Sequence, residues 1–209
     1  MKLPYIIALI GVMCAGCRDS TPPSSSVADS SEPAQIRQEL QRIVPTVSAP
    51  ASENETLALL PAHFSDNNAG IGGPIGRGLS GEDLYLFPDH LYCYLRWADI
   101  LPPTIFDRGT WLFANGVVSL QSDHSVPQRD FPKDSRFVPL YYKISGKRTL
   151  LLMGTSWDFA YFKEKAKTND DYMLFLCTLT RIESIEPARA ETLRKKMYAE
   201  NWRPEFFKK

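Results

Sequence analysis

The side chains that could carry out catalysis are few and lie far apart in the sequence. Ser80 and Ser156 are the plausible nucleophiles, but neither lies in the G-x-S-x-G motif of a nucleophile elbow. Two carboxylates held close together could perform acid–base hydrolysis, although acidic residues near turns are more often simply solvated. The candidate acids on or beside predicted strands are Glu82, Asp83, Asp89, Asp99 and Asp107. The sequence leaves a hydrolase with a dispersed acid or Ser site as an alternative and assigns no catalytic residue.

The residues that could bind a metal or a nucleotide cofactor also fail to form a complete motif. The three histidines, His63, His90 and His124, lie far from one another in the sequence, whereas zinc sites usually take two ligands from neighbouring positions. Residues 76–81 fit the string G-x-G-x-x-G, but that motif needs a preceding strand and a following helix. Here a glycine-rich stretch precedes it and a strand-like run follows, so we predict an entry loop, no metal and no cofactor.

Aromatic side chains are the remaining candidates for contacts with a ligand. Tyr92 and Tyr94 alternate with Cys93 and Leu95 along one predicted strand, which places the two sets on opposite faces. Such rings either fill and cover a sheet or line an apolar pocket that binds a ligand. The aromatics that we select as ligand-contacting candidates are Tyr92, Tyr94, Trp97 and Trp111.

The N-terminus carries a targeting pattern. Lys2 precedes the apolar run 3–13, which is too short to span a bilayer and is followed by Cys14-Ala15-Gly16-Cys17. Small residues before a cysteine resemble the lipobox of bacterial lipoproteins, with Cys14 standing where that family usually has an aliphatic residue. The resemblance implies that residues 1–16 are a signal peptide and that Cys17 becomes the lipidated first residue, carrying acyl chains such as palmitate. An ordinary cleaved signal and an uncleaved anchor are the alternatives.

Residues 17–61 have the composition of a mostly disordered tether. They are rich in Ser and Pro and almost free of aromatic residues, so they bury too little apolar surface to offset the entropy of ordering. One helix is predicted inside this segment, over 32–44, with Ser31 as its cap and Pro45 as its stop. The two interpretations of this helix are a partner-binding element and a short helix that docks loosely or frays.

Charge and cysteine content restrict the compartment and the partners. Lys plus Arg and Asp plus Glu both number 24, so no basic field is available to attract nucleic acid. After export, Cys93 and Cys177 would be the only remaining thiols, and they could form a disulfide. Each lies in an apolar stretch, where a free cysteine is also a common small core residue.

The segment 62–209 is predicted to be a single β-rich domain. Period-two segments follow one another, and Asn115-Gly116 between two apolar runs is a strong hairpin signal. Pro139 suggests an edge strand. Helices are predicted over 157–167 and from Pro187 to about residue 201. The predicted fold class is β-rich α+β: an antiparallel sheet, small barrel or half-barrel with one or two C-terminal helices.

Part of this domain resembles small lipocalin-like envelope lipoproteins. The residues that carry the resemblance are Gly109, Trp111, Asn115, Gly116 and Leu120, a Gly-x-Trp start followed by an Asn-Gly turn and a Leu-ended strand. Members of such groups are mostly ligand-binding or uncharacterised proteins. We therefore expect a lipid-anchored protein of the cell envelope, in the outer membrane facing the periplasm if the cell has two membranes. Its predicted role is to bind or scaffold an unknown envelope ligand or protein rather than to catalyse a reaction.

Overall fold

The structure is a computed structural model and describes residues 31–49, 55, 61–66, 80–98, 101–126, 135–144, 146–166 and 170–199. The predicted signal peptide, the predicted lipidation site Cys17 and the loop residues 76–79 lie outside the described residues, as does Asp99. Among the described residues, no helix is both long enough and apolar enough to span a bilayer.

The domain is an antiparallel eight-stranded barrel, which confirms the predicted β-rich fold. Each strand pairs with the next in the sequence, and β8 also pairs with β1 to close the barrel. The strands are β1 Ala62–Ser65, β2 Ser80–Leu86, β3 Leu91–Ala98, β4 Leu101–Ala114, β5 Val117–Ser122, β6 Arg136–Ile144, β7 Lys147–Gly154 and β8 Thr178–Ser184.

Because neighbouring strands are antiparallel, the two ends of the barrel are distinct. We call the end at which odd-numbered strands finish and even-numbered strands begin the polar end. The opposite end carries the tight turns and is called the hairpin end. The Asn115-Gly116 turn at the hairpin end has φ values of 53° and 76°, both positive as the predicted type I′ turn requires.

In the part of the chain that the structure describes, four helices with defined bounds lie outside the barrel: α1 Ser31–Ile43, α2 Trp157–Lys165, α3 Asp170–Leu176 and α4 Pro187–Met197. The predicted helices at 157 and at Pro187 are confirmed, with Pro187 in the first turn of α4. Ser156 is the N-cap residue of α2, but its side chain makes no capping hydrogen bond. A single residue, Cys177, separates α3 from β8.

Strand β4 is the longest strand of the barrel. It begins at Leu101 and includes Pro102 and Pro103. The register between β3 and β4 shifts between Arg96 and Ala98, and within β4 the residues that pair with β5 are Gly109–Ala114. The two prolines, which lack an N–H donor, therefore lie in an irregular part of β4 outside the β5 ladder.

The core has an interior part and two exterior parts. Alternate residues of the strands form the apolar interior, and they include Phe64, Leu84, Leu86, Tyr92, Tyr94, Trp111, Phe113, Leu150 and Leu152. On the outside, α1, α2 and α3 cover β6 and β7, while α4 covers Cys93 and Leu95 of β3.

Helix α1 confirms the helix predicted within the tether, but it does not fray from the domain. Ile36, Leu40 and Val44 are buried in the same cluster as Val138 and Leu140 of β6. The packed part of the protein therefore reaches back at least to Ser31, beyond the boundary expected at residue 62, because the helix covers an apolar outer face of the barrel.

We predict that Leu40→Ala destabilises the whole domain. Leu40 is 0% exposed, and truncating a buried leucine costs about 2–5 kcal/mol through lost burial and the cavity left behind. The measurement is the free energy of unfolding in urea. Gln41→Ala, at the neighbouring exposed position, is the matched control and should change it by less than about 0.5 kcal/mol. Equal stability of the two variants would show that α1 is not part of the cooperative unit.

Candidate functional site

The polar end of the barrel interior holds a cluster of charged and aromatic side chains. Strand alternation places Glu82 on the same face as the buried Leu84, and the register pairs these two residues with Arg96 and Tyr94. Two adjacent strands therefore deliver a carboxylate, a phenol and a guanidinium to the same region. We call Glu82, Tyr94, Arg96 and Phe106 the end cluster.

Contacts within the end cluster orient the arginine. The Tyr94 hydroxyl donates a 2.8 Å hydrogen bond to Glu82 Oε2, and Arg96 Nη2 lies 3.6 Å from Glu82 Oε1. The guanidinium carbon of Arg96 is 5.5 Å from the centre of the Phe106 ring, which is cation–π range. The Arg96 side chain is 45% exposed and that of Glu82 is 26% exposed. The cluster therefore presents a solvent-accessible guanidinium above a half-buried ring.

Asp66 fixes the backbone beneath this cluster. The Glu82 amide donates to Asp66 Oδ1 at 3.0 Å, and the Asp66 amide donates to the Glu82 carbonyl at 3.1 Å. The side chain of Trp97 lies over Gly81, where an added Cβ would clash with the indole ring and with Asp66 Oδ1. A side chain at position 81 would therefore force Trp97 or Asp66 to shift.

A second polar group lies inside the barrel on β3, β4 and β5. The Tyr92 hydroxyl donates to Asp107 Oδ2 at 2.6 Å, and the Ser122 hydroxyl donates to Asp107 Oδ1 at 2.6 Å. Both carboxylate oxygens of Asp107 thus accept hydrogen bonds from side chains. Such bonds offset the cost of placing a carboxylate next to the apolar interior.

The interior raises the pKa of both tyrosines. Burial is the main cause for Tyr94, and the nearby Glu82 carboxylate adds to it, so that the pKa lies well above its ordinary value. Burial, followed by the hydrogen bond to Asp107, raises the pKa of Tyr92 in the same direction. Both phenols are therefore neutral donors over the physiological pH range and cannot serve as bases there.

Three of the four predicted ligand-contacting aromatics come together in the interior. Tyr92, Tyr94 and Trp111 belong to the same buried cluster, and the Trp111 indole donates a 2.8 Å hydrogen bond to the Phe87 carbonyl. Trp97 is half-buried and covers Gly81 instead. The sequence did not reveal Arg96 and Phe106 as partners, because their contact depends on the irregular register between β3 and β4.

The two candidate disulfide cysteines do not form a disulfide in the structure. Cys93 packs beneath α4, whereas Cys177 belongs to the cluster that includes α1. Of the two alternatives that the sequence left open, this arrangement favours two small core residues. Burial raises the pKa of the Cys93 thiol to about 12, which keeps it protonated and unreactive.

The three histidines lie apart from one another in the structure. His63 Nε2 lies 3.0 Å from Asp83 Oδ1, and its ring stacks on Tyr85 with centroids 4.3 Å apart. His90 and His124 occupy positive-φ positions in turns. Within the described residues, no group of three or more His, Cys, Asp or Glu side chains could hold a metal ion. The pairing of His63 with Asp83 depends on the β1–β2 register and was missed in the sequence.

Comparison with known proteins identifies no relative of this chain. No family model matches the chain, and no curated protein or solved structure matches it significantly. The function must therefore be argued from the residues themselves.

We predict that alkaline titration will separate the buried tyrosines from the rest. Burial raises the pKa values of Tyr92, Tyr94 and Tyr198 in the folded state. The contribution of these phenols to folding stability is therefore fully present below the unfolded-state pKa of about 10, and it is lost as the pH rises from there towards the folded-state pKa. Phenolate absorbance followed together with circular dichroism should show a late step that coincides with unfolding. Tyr94→Phe should remove one phenol from that step. Ionisation of all tyrosines before any unfolding would contradict the burial described here.

Proposed function

We propose that this protein is a lipid-anchored component of the bacterial cell envelope and that its barrel is a non-catalytic binding module. In a two-membrane cell it would be attached to the outer membrane and face the periplasm. The sequence Ala15-Gly16-Cys17 after an apolar run supports the anchor. Arg18 follows Cys17, where an aspartate would resemble an inner-membrane retention signal of enteric-type bacteria.

The end cluster supports the binding role. A guanidinium has five donors in a planar fork that suits carboxylate and phosphate groups. Arg96 is accessible to solvent and is held over Phe106, with the apolar barrel interior behind it. This combination favours a ligand that carries both an anionic group and an apolar part. The accessible Arg96 beside an apolar interior is the observation on which the proposed binding function rests.

The anchor is tested by replacing Cys17 with Ser. We expect Cys17→Ser to abolish acyl labelling and to release the protein from the membrane fraction, because no thiol remains to be acylated. A conservative control, Cys93→Ser, removes a buried thiol of the domain and should leave labelling unchanged. If Cys17→Ser stays in the membrane fraction to the same extent as wild type, the anchor proposal is wrong.

The binding role is tested with an amphipathic anion, dansyl-labelled undecanoate. We expect the probe to bind the wild-type protein, with increased dansyl emission. Arg96→Ala should weaken binding by about tenfold or more, since a hydrogen bond to a charged group contributes about 1.5–3 kcal/mol. Arg148→Ala is the matched control, because Arg148 lies at the hairpin end and is 53% exposed. Equal affinities of the two variants would exclude the end cluster as the binding site.

A further inference from the structure

The docking of α1 shortens the connection between the barrel and the proposed lipid anchor. Only residues 18–30 separate Cys17 from Ser31, the first residue of α1. Fully extended, this stretch spans at most about 50 Å. If Cys17 is acylated, the barrel is therefore held close to the lipid surface rather than at the end of a long spacer.

Two contacts show where this connection leaves the domain. Glu32, in the first turn of α1, forms a 2.8 Å ion pair with Arg136 at the start of β6. The Thr155 amide donates a 3.0 Å hydrogen bond to the Arg136 carbonyl just after the end of β7. The start of α1, the start of β6 and the end of β7 therefore meet, and the chain leaves α1 towards Cys17 at the polar end.

An exposed tryptophan that stacks on a partly buried tyrosine lies at this same place. Trp157 opens α2 two residues after Thr155, and its side chain is 66% exposed. Its ring stacks on Tyr161 with centroids 5.1 Å apart and planes inclined by 9°. Leu112 is the other large apolar side chain that is exposed among the described residues, at 58%. It pairs with Ser119, which in turn pairs with Arg136, so it lies two strands from Arg136 along the barrel wall.

We propose that Trp157, supported by Tyr161, inserts into the interface of the bilayer that carries the acyl chains of Cys17. Tryptophan and tyrosine favour the headgroup region because their rings are apolar and each has one polar group. This proposal rests on the proposed lipidation of Cys17. Lipid is the occupant that the short connection brings to this surface, since the chain that ends in the anchor leaves the domain beside Trp157.

The proposed contact also orients the barrel. Trp157 follows the end of β7 and Arg96 lies near the end of β3, so both are at the end where odd-numbered strands finish. The end cluster would then face the membrane, and Lys147, the exposed first residue of β7 at the hairpin end, would lie away from it. An amphipathic anion would reach Arg96 from the bilayer rather than from the bulk solution.

The test uses the full acylated protein in vesicles of phosphatidylcholine with brominated acyl chains, which quench nearby tryptophans. Acylation of Cys17 is first verified by intact mass. We expect wild-type emission to be partly quenched relative to vesicles without bromine. Trp157→Phe should lose that quenched component while keeping the fold, since the side chain is exposed.

A matched reporter examines the opposite end of the barrel. Lys147→Trp in the Trp157→Phe background should be insensitive to bromine, because Lys147 is exposed at the hairpin end, away from the proposed lipid contact. Quenching of this reporter, or an acylated wild-type protein whose Trp157 is not quenched, would overturn the proposed orientation while leaving the anchor intact. A protein without acyl chains on Cys17 would overturn the anchor and the orientation together.

Discussion

The ladder between β5 and β6 consists of two residue pairs, Val118 with Phe137 and Ser119 with Arg136, among the described residues. The rest of β6 on that side needs other partners, because buried backbone groups without hydrogen bonds are costly. Ser48 supplies two of them: its amide donates to the Tyr141 carbonyl at 2.9 Å, and its carbonyl accepts from the Tyr141 amide at 2.6 Å. Arg37 of α1 donates to the Gly116 carbonyl in the turn between β4 and β5. The segment before the barrel thus supplies partners for the part of β6 that β5 does not pair. The packing of α1 against the barrel accompanies these contacts.

The interior combines apolar packing with a limited set of polar groups near one end. Carboxylates inside a barrel are stable when donors surround them, and the phenols of Tyr92 and Tyr94 serve as such donors to Asp107 and Glu82. A phenol suits this role because its ring fills apolar space while its hydroxyl reaches a carboxylate. The two tyrosines are therefore structural as well as possible parts of a binding surface. Of the end cluster, Arg96 is the member most accessible to solvent.

Local patterns were sufficient to predict much of the sheet. The Asn115-Gly116 turn, the opposite faces of Tyr94 and Cys93, and the helix beginning near Trp157 all depend on residues close in sequence. Barrel closure, the start of β4 at Leu101 and the pairing of His63 with Asp83 depend on the register between strands. That register is set by long-range packing, which a single sequence does not display.

Pro139 illustrates the same limit in a single residue. It predicted an edge strand, yet β6 lies within a closed barrel and pairs with strands on both sides. The prediction rested on the missing N–H donor of proline, and that reason applies locally. Pro139 lies beyond Arg136 and Phe137, the two residues of β6 that pair with β5. Likewise, α1 could be recognised from its apolar spacing, but the surface that it covers exists only after β6 and β7 have paired.

The position of α1 also determines how the domain would respond to force. The helix begins beside Arg136 and the following chain reaches Tyr141, so the segment advances along β6 from its first residue. A pull applied from the N-terminal side would act first on Glu32 and the first turn of α1. Contacts would then break one turn at a time, as in peeling, instead of all together, as in sliding strands past each other. The helix would thus yield before the barrel and protect its strands from mechanical load.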